Sequence, residues 1–101
     1  MIPRWTQTYD TFSEHTSDIQ IIQGDIQHNN GRIADIEGEL SQEQGKLNNI
    51  HLSDDEKRHI EQRIDDLKQQ KQDYIIANET LEKEITQIQN QSAMGNKENN
   101  Y

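Results

Sequence analysis

From Ile19 to Ile50 the chain carries a seam residue at alternating steps of three and four: Ile19, Ile22, Ile26, Asn29, Ile33, Ile36, Leu40, Glu43, Leu47 and Ile50. With Ile19 as position a of a heptad, the a line is apolar from Trp5 and Phe12 through Leu47, over seven consecutive heptads. A straight amphipathic helix drifts about 20° per heptad away from such a strict period, so the pattern predicts a coiled-coil helix. A second line, Ile60, Ile64, Leu67, Tyr74, Leu81, Ile85 and Ile88, follows the same spacing and is interrupted by Lys71 and Asn78. Between the two lines, Ser53-Asp-Asp-Glu56 has the spacing of a capping box with acidic residues in its first turn, which predicts a new helix start.

These signals divide the chain into an N-terminal arm (1–10), a heptad helix (11–51) opened by the capping-box spacing Thr11 to Glu14, a turn (52–53), a second helix (54–91) and a polar, disordered tail (92–101). Alternatively, Trp5 and Phe12 prolong the seam. The expected fold is all-α: a long two-helix antiparallel hairpin that assembles through its heptad seam into a parallel coiled-coil bundle. A continuous rod is the competing geometry, with a stammer between Ile50 and Ile60 absorbed by overwinding.

Glycine recurs every seven residues on the first helix, at 24, 31, 38 and 45. Each costs a helix interior about 0.8–1 kcal/mol relative to alanine. On a helical wheel the row lies opposite the seam. A chain folding back at 52–53 would set Gly45 against Ile60, Gly38 against Leu67, Gly31 against Tyr74 and Gly24 against Leu81. The glycines then read as holes that admit helix 2 to the back of helix 1, leaving the front seam for other copies. A solvent-facing row of tolerated glycines is the alternative.

Composition narrows the use of such a fold. Hydrophobic residues are 29% of the 101-residue chain, too few for a conventional globular core but enough for a narrow stripe. The formal charge of −9 opposes binding to phosphate backbones, so no nucleic acid is expected as partner. The absence of cysteine excludes disulfides. No apolar run reaches the roughly 18–20 residues of a membrane span, and the N-terminus lacks the layout of a signal peptide, so no membrane partner is expected either. His51, Asp54, Asp55 and His59 cluster near the turn without metal-ligand spacing, and no nucleophile–base pair or phosphate-binding loop occurs. A non-enzyme without cofactor or metal is expected.

Isoleucine at both a and d favours three or four strands over two. The stretch Arg32 to Glu37, "RIADIE", resembles the Arg-apolar-x-x-apolar-Glu motif of parallel trimeric coiled coils, in which the arginine pairs with a glutamate of the next strand. Asn29 resembles the asparagine layers of trimeric fibrous stalks. The repeats "IQIIQGD" and "IADIEGE" are similar to the stalk heptads of bacteriophage tail, baseplate and fibre proteins over about residues 19–50. That resemblance implies a structural virion component, assembled in the host cytoplasm, that acts as a spacer or connector. Self-association is expected, as a homotrimer ahead of a dimer. A larger structural protein is expected to receive Trp5, Tyr9 and Phe12 of the arm, since aromatic side chains anchor interfaces. The alternative function is an acidic inhibitor or adaptor that binds a basic host protein surface.

Overall fold

In the computed structural model the backbone is described for residues 4–98 and the side chains for residues 16–91. The described residues form two long helices, α1 (Arg4–Lys46) and α2 (Asp54–Glu98), without strands. They fold back on each other as an antiparallel helical hairpin, for Asn29 of α1 hydrogen-bonds Asn78 of α2 across 49 residues of sequence. A continuous rod is thereby excluded.

The chain divides into two compact units. In the unit His28–Asn78, which holds the turn, Ile36, Leu40, Ile64 and Leu67 form the buried core, and Leu47, Ile60 and Tyr74 pack against it. Burial along α1 here falls on Asn29, Ile33, Ile36, Leu40 and Glu43, with Leu47 just beyond its end, and along α2 on Ile60, Ile64, Leu67, Lys71, Tyr74 and Asn78, with Ile75 and Ala77 partly covered beside that line. The line Ile60, Ile64, Leu67, Lys71, Tyr74, Asn78 and its α1 counterpart keep the three-four spacing, as two helices joined by one seam require. In the other unit, Met1–Gln27 with Glu79–Tyr101, Ile19, Ile22 and Ile26 on α1 and Leu81, Ile85 and Ile88 on α2 are half-buried.

Sequence chemistry sets the turn. α1 ends in i→i+3 bonds, with the amides of Leu47, Asn48 and Asn49 donating to the carbonyls of Gln44, Gly45 and Lys46, each at 3.2 Å. This tightened last turn satisfies carbonyls that a helix end leaves without partners. Lys46 places a positive charge at the negative end of the helix dipole. Ser53 then caps α2. Its Oγ accepts from the Glu56 amide and donates to the Glu56 carboxylate, both at 3.1 Å, and its carbonyl accepts the Lys57 amide at 3.0 Å. The acidic first turn Asp54, Asp55 and Glu56 complements the dipole.

Three boundaries differ from expectation. α1 starts at Arg4 rather than 11, so most of the expected arm has helical backbone. The connection runs from 47 to 53 instead of 52–53, because Asn48, Asn49 and His51 leave the helix in a chain of turns, with the His51 amide donating to Asn49 Oδ1 at 2.9 Å. At the other end α2 continues to Glu98 through residues expected to be disordered. The segment Ser92 to Glu98 holds no proline and includes Ala93, Met94, Lys97 and Glu98, all good helix formers.

Candidate functional site: the heptad seam

The seam of α1 is covered by the chain's own second helix. Ile36, 3% exposed, and Leu40 are the buried apolar residues of α1, and both belong to the line expected to remain free for other copies. The glycine row points the other way. A Cβ placed on Gly24, Gly31, Gly38 or Gly45 meets nothing within 4 Å. The expected pairings of Gly45 with Ile60, Gly38 with Leu67, Gly31 with Tyr74 and Gly24 with Leu81 are therefore absent. Ile60, Leu67, Tyr74 and Leu81 do line the inner face of α2, but that face turns toward the seam of α1. The physical reason is direct: one apolar stripe meeting another removes hydrocarbon from water on both sides, whereas a glycine row offers almost no apolar surface to bury.

Polar residues set the register. Asn29 Nδ2 donates to Asn78 Oδ1, and Asn78 Nδ2 donates to Asn30 Oδ1, each at 2.9 Å. Counting along the three-four spacing from this pair sets Ile33 level with Tyr74, Ile36 with Lys71, Leu40 with Leu67, Glu43 with Ile64 and Leu47 with Ile60. A slip of one heptad toward the turn would set Asn78 against Ile36. A buried amide left without a partner costs about 1–3 kcal/mol.

Two charges also occupy core positions. Glu43, 7% exposed, accepts from Lys46 Nζ at 2.9 Å and from Arg63 Nε at 3.2 Å, while Arg63 also lies 4.0 Å from Glu39. The Lys46 hydrogen bond, helped by the charges of Lys46 and Arg63, holds the Glu43 carboxyl below its ordinary value against the opposing effect of desolvation. Lys71 reaches out of the seam to Glu37 at 3.2 Å. No described buried side-chain nitrogen or oxygen lacks a hydrogen-bond partner.

The expected trimer motif is engaged within the chain. Arg32 stands 3.9 Å from Asp35 and beside the Tyr74 hydroxyl, which holds its guanidinium above the usual value, and Glu37 takes Lys71. Ile50, expected in the seam, lies in the connection and is 88% exposed, because α1 ends before it. The side chains of Trp5, Tyr9 and Phe12 lie outside the described residues. Sequence reasoning marked Asn29, Glu43, Lys71 and Asn78 as irregularities and passed over Arg63. The signal that would have found the seam was the matching of polar gaps on the two lines, asparagine with asparagine.

Beside the seam run grooves that are open rather than enclosed, one lined by Arg32, Asp35, Ile36, Gly38 and Gln70, another by Glu37, Leu40, Lys68, Lys71 and Ile75. Among the described residues no group of His, Asp and Glu is placed to hold a metal ion, and no helix is long and apolar enough to cross a membrane. No protein-family model, curated protein or solved structure matches the chain.

Proposed function

We propose that the chain is a non-enzymatic structural hairpin that serves as a spacer or connector in a larger protein assembly, of the virion kind whose stalk heptads its repeat resembles. The observation supporting this reading is that, among the described residues, the buried apolar side chains Ile36, Leu40, Ile64 and Leu67 belong to one helix–helix seam. Catalysis and small-molecule binding call for a concave, water-excluding site. A seam of this kind instead holds two helices at a set register and presents their outer faces to neighbours. Copies in the same assembly would meet through those outer faces, since α2 occupies the heptad seam. Ile21, 64% accessible, is an exposed apolar side chain on such an outer face.

Quantitative mass spectrometry of purified particles from cells that make the protein tests the proposal. A fixed stoichiometry to the major structural proteins is expected. Recovery only outside particles, bound to a basic host protein and released by salt, would replace this reading with that of an acidic adaptor.

A further inference from the structure

The apolar residues of α1 do not by themselves choose a partner. Ile33, Ile36, Leu40 and Leu47 would pack as well in a parallel bundle of α1 helices from several copies as they do against α2. The polar seam positions discriminate. We infer that Asn29 and Glu43 on α1, matched by Asn78 and Arg63 on α2, make this seam selective for an α2 helix and closed to the α1 of a second copy.

Within the hairpin every polar member has a complement. Asn78 accepts from Asn29 and donates to Asn30, so one amide of α2 bridges two of α1. Glu43 is buried level with Ile64 of the opposite helix and meets the Arg63 guanidinium from the flank, with Lys46 on its other side and Glu39 sharing the arginine. In a parallel assembly each heptad position meets its own copy, so Glu43 would face Glu43 in one core layer. Arg63 would have left with α2, so each carboxylate would keep only the Lys46 of its own helix and lose its second cation. Like charges held together in a layer withdrawn from water oppose each other strongly. Asn29 acts differently, because an asparagine layer is tolerated between parallel copies. Glu43 therefore carries the rejection, and the asparagine pair carries the recognition of α2. Lys71, reaching out to Glu37, completes the set by giving a cationic core position of α2 an anion on α1.

The chain has no cysteine, so Ile33→Cys supplies a single thiol in the seam of the full-length protein. In a glutathione redox buffer, the Ile33→Cys protein is expected to form no disulfide between copies. Adding Asn29→Ile and Glu43→Leu removes both the recognition and the repulsion. That variant is expected to give disulfide-linked dimers and a sedimentation mass that rises with concentration. The charge exchange Glu43→Arg with Arg63→Glu, also carrying Ile33→Cys, keeps a complementary pair across the hairpin, although the new arginine meets Lys46 and the new glutamate Glu39, and it sets like charges between copies, so it should stay unlinked. Linkage in the Ile33→Cys protein alone or in the exchanged variant would overturn the inference. Its absence from the Asn29→Ile/Glu43→Leu variant would do so as well.

Discussion

Glu43 is where a single residue departs furthest from the heptad rule, since a carboxylate at a core position must find cations or lose its charge. Lys46 and Arg63 supply them, and the direction of its titration follows. With the folded value held below the unfolded one, the stabilisation is present in full above the ordinary carboxylate range. It is lost as the pH falls through the lower, folded value, where the native and unfolded chains bind the proton alike. Glu43→Gln removes this contribution while preserving size. The expected outcome is a lower urea midpoint than the parent at neutral pH and a gap between the two proteins that closes on acidification. Equal midpoints at neutral pH would show that Lys46 and Arg63 contribute nothing through this carboxylate.

At the scale of the element, α1 carries two heptad lines of opposite character, and the sequence alone left their roles open. The three-four periodicity, the hairpin and the cap at Ser53 were legible because each rests on local rules: apolar spacing, capping chemistry and the helix dipole. Which face α2 would cover was harder to read, because glycines spaced by seven match any partner line of the same period in some register. The gaps at Asn29 and Asn78 resolve that degeneracy, as two polar interruptions of one seam are least costly when they meet. Helix ends were misjudged where α1 begins ahead of the capping-box spacing at Thr11 and where α2 continues through Gly95 and Asn96, residues that commonly stop a helix. Outward-facing glycines have a measurable consequence. With open space at Gly31, the intrinsic preference of the helix decides, and Gly31→Ala should raise stability by up to ~1 kcal/mol. Gly31→Leu should be accepted as well, whereas packing against Tyr74 would have made it destabilising. Thermal melts of the two variants separate these outcomes, and a lower midpoint for Gly31→Leu would place a neighbour on that face.

For the whole molecule, burial is unevenly shared between the two units. Among the described residues, the four buried apolar side chains and the three asparagines that set the register lie in His28–Asn78. In the other unit none of the described apolar side chains is fully buried: Ile19, Ile26, Leu81 and Ile85 are partly covered, and Ile21 is exposed. Local stability follows the apolar surface withdrawn from water, and opening free energies within one chain extend from near zero to the global value. The slowest-exchanging amides should therefore fall within 28–78, with protection diminishing through 16–27 and 79–91. Point changes should rank in the same way. Leu67→Ala deletes a side chain only 4% exposed and should cost about 2–5 kcal/mol, as core truncations do. Ile85→Ala deletes one that is already partly in water and should cost less, with its effect on exchange confined to its own unit. Native-state hydrogen exchange resolved by residue, on the parent and both variants, measures this directly. If Ile85→Ala lowered protection throughout 28–78 as much as Leu67→Ala does, the two units would unfold as one, and the division of burial would have no counterpart in stability.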